Sequence, residues 1–153
     1  MALYLVQHGK NLPKETDPDQ GLSEEGVAEV NRIAETAKMY NVIIGAIEHS
    51  GKRRAEQTAE IFAEKLGVTR VSAEDGLKPL DDVTLKAGEI NPGANLMLVG
   101  HLPFMEKMVS FLTTGSTEYT VFKFQNGGIV CIDRIDDESG LWSIRWALMP
   151  RVG

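Results

Sequence analysis

Cysteine is all but missing from this chain: Cys131 is the only one among 153 residues. No internal disulfide can form, which is compatible with a reducing compartment. Cys131 lies in the run Gly128-Ile129-Val130-Cys131-Ile132 and reads as a small buried hydrophobe rather than a nucleophile. Basic charge is in short supply. Sixteen Lys and Arg stand against 22 Asp and Glu, giving a net charge of −6. An acidic chain is a poor default binder of nucleic acid or of an anionic membrane. Long apolar runs are missing as well. Met1-Ala2-Leu3-Tyr4-Leu5-Val6 is interrupted by His8 and Lys10, too early for a signal peptide or a membrane span. A cytoplasmic location is the expectation that remains. No His-Glu-x-x-His or Cys-x-x-Cys pattern offers a metal site. Nor is there a repeat, a low-complexity tract or a linker, so residues 1–153 are expected to form one domain.

What is present alternates between apolar strands and amphipathic helices. Leu3 to Gln7 reads as a short buried strand, and the Gly- and Pro-bearing segment 9–22 as a loop. Ser23 is placed to cap a helix over Glu24 to Met39, with Glu24 and Glu25 at its positive end. Val42 to Ile47 reads as a strand. Ala55, Ala59, Phe62, Ala63 and Leu66 form a helical stripe that Gly67 stops. Val68 to Val71 is expected as a short edge strand, and residues 73–93 carry one short helix near Asp82 to Ala87. Leu96 to Val99 is another strand. Pro103 fits the first turn of a helix carrying Met105, Met108, Val109 and Leu112. Ile129 to Ile135 and Leu141 to Leu148 form an antiparallel pair around the turn Asp136–Gly140. Trp142 and Trp146, evenly spaced, are expected on one face of the last strand as packing residues. Strands alternating with helices predict an α/β chain: a three-layer α/β/α sandwich with a mostly parallel sheet and an antiparallel strand.

Two segments share an unusual ending. Leu3-Tyr4-Leu5-Val6-Gln7-His8 and Leu96-Met97-Leu98-Val99-Gly100-His101 are each an apolar strand, one further residue, then histidine. The chain has only three histidines, and two hold this position. Ligands of open α/β sheets bind outside the carboxyl ends of the strands. One histidine there is most simply a strand terminus that bonds a nearby carbonyl. Two, each beside a glycine (Gly9 and Gly100), point to a site where backbone approaches a ligand closely. Zinc is one ligand for paired imidazoles, but no third ligand is spaced to join them. An anion is the other. Ser50-Gly51-Lys52-Arg53-Arg54 opens a helix after the second strand and combines basic side chains with free helix N–H groups. Arg54 is the residue able to grip phosphate oxygens bidentately. His49 reads as a loop residue, and Gln57 and Thr58 as structural.

These pieces resemble the histidine phosphatase superfamily, the phosphoglycerate mutase-like fold. Its members carry Arg-His-Gly after the first strand, Ser-x-x-x-Arg-Ala-x-Gln-Thr after the second, and a later Gly-His or Ser-His. Here Gln7-His8-Gly9, Ser50 to Thr58 and Val99-Gly100-His101-Leu102-Pro103 match in order, and Leu22-Ser23-x-x-Gly26 matches the family's helix start. The Arg-Ala-Glu-Gln-Thr and His-Leu-Pro runs are most similar to the SixA-type phosphohistidine phosphatases. The resemblance implies that His8 accepts the phosphoryl group covalently, that Arg54 and His101 stabilise charge on it, and that no metal or cofactor is needed. It also implies phosphate contacts from Gln7, Gly9, Lys10 and Ser50. A protonated His101 would serve best. The general acid is not evident; Asp81 and Asp82 are candidates, though an Asp pair after proline also makes a turn or cap.

The implied partner is a histidine-phosphorylated protein, with phosphate or a similar anion in the site and with neither nucleic acid nor membrane. The absence of a long lid favours a phosphoprotein over an enclosed metabolite. Two other readings stand beside it: a phosphomonoesterase of the same fold acting on a small metabolite, and a catalytically weak phosphate- or phosphoprotein-binding module. The second arises because Gln7 replaces the motif arginine and removes a charge.

Overall fold

The computed structural model describes residues 2–152. In chain order it has β1 (Ala2–Gln7), α1 (Glu24–Met39), β2 (Ala46–His49), α2 (Arg53–Leu66) and β3 (Val71–Ala73). These are followed by α3 (Val83–Glu89), β4 (Leu96–Gly100), α4 (Phe104–Thr114), β5 (Ile129–Arg134) and β6 (Trp142–Leu148). The six strands form one sheet in the order β3-β2-β4-β1-β5-β6. β3, β2, β4 and β1 are mutually parallel, and β5 runs antiparallel to both β1 and β6. The mostly parallel sheet with an antiparallel strand is therefore present.

The core divides by strand parity. Tyr4, Val6, Ile47, Met97 and Val99 pack against α1 (Val30, Ile33, Ala37) and α2 (Ala55, Ala59, Phe62). Leu3, Leu5, Leu96 and Leu98 face the other way, against α3 (Val83) and α4 (Phe104, Met105, Met108, Leu112). Both faces are covered, which explains why β1 and β4 are continuous apolar runs rather than alternating ones. Each fully buried Leu, Ile or Phe contributes about 1.5–3 kcal/mol of transfer free energy.

Local signals set most element ends. Ser23 caps α1 by accepting the Gly26 N–H at 3.0 Å. Gly26 itself is required because a Cβ there would collide with the Lys10 carbonyl, so α1 begins pressed against the loop that leaves β1. Asp82 caps α3, accepting the Thr84 N–H at 2.8 Å.

Three expectations are corrected. β2 begins at Ala46, not Val42, because residues 40–45 close α1 and cross to the sheet. Val42 N–H bonds Ala37 C=O, Asn41 takes a φ of 59°, and Gly45 N–H bonds Asn95 C=O. β3 is Val71–Ala73, not Val68 to Val71, because Val68 N–H still bonds Ala63 C=O in the cap of α2 after Gly67. Trp142 and Trp146 lie on opposite faces of the sheet. The β5–β6 register pairs Cys131 with Trp146 but Ile132 with Ile144, and this irregularity inserts one residue and inverts the alternation. Trp146 packs on Tyr4 at 5.9 Å between ring centroids, and Trp142 is buried among the leucines of the other face.

Candidate active site

β1 and β4 are adjacent and parallel, with Gln7 opposite Gly100. The residues that follow them, His8 and His101, therefore emerge side by side, and His8 N–H bonds Gly100 C=O at 2.9 Å. The two imidazoles stand 4.9 Å apart, centroid to centroid, at 53°. β2 lies on the other side of β4. Its continuation carries Ser50, whose Oγ shares a 2.6 Å hydrogen bond with His101 Nε2. The carboxyl ends of three neighbouring strands thus converge on one point.

His8 is held in a defined tautomer. Its Nδ1 lies 2.7 Å from Gly9 C=O. A carbonyl only accepts, so Nδ1 carries the hydrogen and Nε2 keeps a free lone pair. Gly9 is anchored in turn: its N–H bonds Thr58 Oγ1 at 2.9 Å, and that hydroxyl donates to Arg54 C=O at 2.8 Å. Asn126 Nδ2 donates to His8 C=O at 3.0 Å. A Cβ on Gly9 would strike Val30 and Leu22, and one on Gly100 would strike Met105. These two glycines answer to packing against the protein itself.

Electrostatics keep both rings neutral. Burial pushes His8 down to about 4; the Gly9 carbonyl opposes this and the Arg54 charge adds to it. Burial pushes His101 down to about 3, helped by His8, Arg54 and Lys52. His101 is therefore neutral at neutral pH. An arriving anion favours the charged form of each histidine and would reverse part of this shift. Burial also lowers Arg54, yet a guanidinium stays protonated. Among the described residues Arg54 has no salt-bridge partner, whereas Arg53 pairs with Glu56 at 2.7 Å. Arg54 lines a cavity of about 410 Å³ with Pro18, Asp19 and Gln20 of the 9–22 loop. That cavity shares Gly51 and Lys52 with one of about 490 Å³ lined by Ser50, Glu74, Asp75 and Lys78. Together they make an open, polar, cation-bearing basin beside the histidines, the combination that binds a phosphoryl group.

Other predicted residues fall differently. Lys10 Nζ pairs with Glu25 at 2.7 Å. Ser50 is engaged with His101, and the cap position of α2 is Lys52, which makes no side-chain cap bond. Asp81 accepts the Lys78 N–H at 2.9 Å, and Asp82 caps α3. Both line a cavity of about 260 Å³ that shares Asp75 and Lys78 with the one lined by Ser50 and Lys52. Gln7 closes β1 with its Oε1 buried and unpartnered, and His101 Nδ1 is likewise without a partner among the described residues. His49 is not a loop residue but the buried last residue of β2, and its Nδ1 accepts the Gly51 N–H. Sequence reasoning missed Asn126, whose only local signal was the turn dipeptide Asn126-Gly127 ahead of β5, and the wall formed by Glu74, Asp75 and Lys78. Among the described residues no cluster of three or more His, Cys, Asp or Glu is placed to hold a metal ion. No described helix is long and apolar enough to cross a membrane.

Comparison with known proteins agrees with this geometry. The sequence profile of the histidine phosphatase superfamily (branch 1) matches residues 3–84. Among solved structures, the protein histidine phosphatase SixA complexed with tungstate superposes with a TM-score of 0.85 at 27% identity, covering 98% of this chain and 97% of that one. A candidate phosphohistidine phosphatase SixA from Agrobacterium tumefaciens gives 0.77 at 24%, covering 97% of each. A candidate alpha-ribazole-5'-P phosphatase from Escherichia coli K-12 gives 0.74 at 14%, covering 100% of this chain and 99% of that one. The latter two speak to fold alone. No curated protein matches the sequence.

Proposed function

Because the chain belongs to the histidine phosphatase superfamily, we propose that it is a metal-independent, cytoplasmic phosphatase that removes the phosphoryl group from phosphohistidine on a protein through a phospho-His8 intermediate. The observation that carries this is the tautomer of His8. Gly9 C=O fixes the hydrogen on Nδ1 and leaves Nε2 as an unprotonated nucleophile at neutral pH. Nε2 attacks phosphorus in line as the bond to the leaving nitrogen breaks, and water then cleaves the phosphorus–Nε2 bond. Arg54 supplies the fixed positive charge for the equatorial oxygens, with Ser50-bound His101 beside it. A phosphoramidate needs little help from a general acid, since its imidazole leaves readily once protonated. That suits a site where Asp81 and Asp82 are committed to a turn and a cap. The similar SixA structure holds tungstate, a phosphate-like anion, which supports anion binding here.

The test is loss of phosphoryl group from a histidine-phosphorylated phosphocarrier protein, without added metal, by the parent and by His8→Ala. Turnover by the parent and none by the variant is expected; retained activity in His8→Ala refutes the mechanism. Gln7, a neutral residue where the family motif has arginine, favours one second reading, a phosphoprotein-binding module of low turnover. It predicts phosphate binding without release of product.

A further inference from the structure

Most exposed apolar side chains are unremarkable when scattered singly. Two fall within one short stretch of chain. Leu80 is 86% exposed and Leu85 70% exposed. Both belong to the stretch that follows the carboxyl end of β3, so they stand on the same side of the sheet as His8 and His101. Leu85 lines the cavity of about 260 Å³ with Asp75, Gly76, Lys78, Asp81 and Asp82. Asp75 and Lys78 also line the larger cavity that holds Ser50 and Lys52. Leu85 therefore stands on a surface that adjoins the phosphoryl basin through Asp75 and Lys78. The opposite end of the sheet supplies a contrast: Met39, Tyr40 and Ile43 are exposed where α1 turns back toward the amino end of β2, far from the histidines.

Charge changes along this path. Lys52 and Arg54 lie by the histidines, among Asp19, Glu74 and Asp75. Farther out, around Leu85, Asp75, Asp81 and Asp82 outnumber Lys78. Asp81 and Asp82 are bonded only to a backbone N–H or to Thr84, so each keeps its negative charge unpaired by any cation among the described residues. A partner that puts an anion inward would meet cations there and anions at the rim. We propose that Leu80 and Leu85, rimmed by Asp75, Asp81 and Asp82, are the docking patch for a protein whose phosphorylated side chain is bordered by an apolar residue and basic residues. This rests on the phosphatase reading and adds the partner's chemistry to it. The patch selects protein over metabolite because a free phosphorylated metabolite has nothing to lay across it. Both leucines are exposed, so replacing them spares the core.

Short synthetic peptides with a central phosphohistidine test the proposal. One set is flanked by Leu and Lys, one by Ala and Ser, one by Leu and Glu. The parent is expected to turn over the Leu/Lys peptide with a kcat/KM about tenfold above the Ala/Ser peptide, the effect of burying roughly one leucine. The Leu/Glu peptide falls below the Leu/Lys one, and added salt narrows that gap. Leu80→Ser/Leu85→Ser erases the preference while turnover of inorganic phosphoramidate and the thermal midpoint stay level, and Leu85→Ser alone erases part of it. Met39→Ser keeps the preference. Equal rates across the parent's peptides, or a preference that survives in the double variant, overturn the proposal. If the parent turns over neither peptides nor phosphoramidate, the phosphatase reading fails by itself. Peptide binding by fluorescence anisotropy then decides the patch: a Leu/Lys preference lost in the double variant sustains it, and no preference overturns it.

Discussion

Thr58 joins the nucleophile to the cation, and replacing it with valine isolates that link. The side chain is fully buried. Its hydroxyl accepts Gly9 N–H at 2.9 Å and donates to Arg54 C=O at 2.8 Å, while Gly9 C=O holds His8 Nδ1 at 2.7 Å. Valine has nearly the same shape and no hydroxyl. Gly9 N–H is then left buried without a partner, which costs about 1–3 kcal/mol. The Arg54 carbonyl loses less, because it lies within α2 and keeps its helical bond. A net loss near 2 kcal/mol lowers Tm by about 4–8 °C in a chain of this size. Turnover suffers separately: Gly9 relaxes, its carbonyl turns, and His8 loses its fixed tautomer, so kcat falls about tenfold or more. Thr58→Ser restores the hydroxyl and is expected to restore kcat. Urea unfolding and phosphohistidine turnover, measured on all three proteins, read both effects. A valine variant within about 0.5 kcal/mol of the parent with unchanged kcat refutes the reasoning, since the Thr58–Gly9 bond would then hold nothing in place.

Two further outcomes follow from charge. His8 and His101 have folded values of about 4 and about 3, below the ordinary 6.5, so the unfolded chain takes up protons first as pH falls. Stability is full above pH 6.5 and is lost from there down toward pH 4 and 3, by up to about 1.4 kcal/mol per pH unit for each histidine. Urea midpoints between pH 7 and pH 5 should fall for the parent and fall less for His8→Ala; level midpoints in the parent contradict neutral, buried rings. Gln7→Arg exchanges a neutral donor for a charged one, a difference of roughly 0.5–2 kcal/mol, or about two- to thirtyfold tighter inorganic phosphate. Calorimetric titration with no tightening would mean that position 7 does not reach the anion.

The resemblance and the residue patterns agreed with the structure where information was local. Ser23, Gly67 and Asp82 end helices through bonds spanning a few residues, and the helical stripe of α2 is visible from side-chain type alone. The misplacements were non-local. Val42 has strand propensity, yet it closes α1 because Ala37 C=O is within reach. Trp142 and Trp146 were assigned to one face by counting, and the count failed because the β5–β6 ladder inserts a residue that no single strand reveals.

By itself, the sequence determined that the chain is α/β, that two apolar strands end in histidine, and that a basic helix start follows Ser50. These are properties of residue type and spacing, which hydrophobic periodicity and capping chemistry translate directly into local structure. Only the tertiary structure decided that β4 lies between β1 and β2. That order puts His8, Ser50 and His101 within hydrogen-bonding and ring-contact distance across separations of 51 and more residues. It also decided which His8 nitrogen is free, since the tautomer depends on a carbonyl whose position Thr58 fixes from another element. Strand order and buried tautomers follow from how the two sheet faces are covered, and that balance is summed over the whole core.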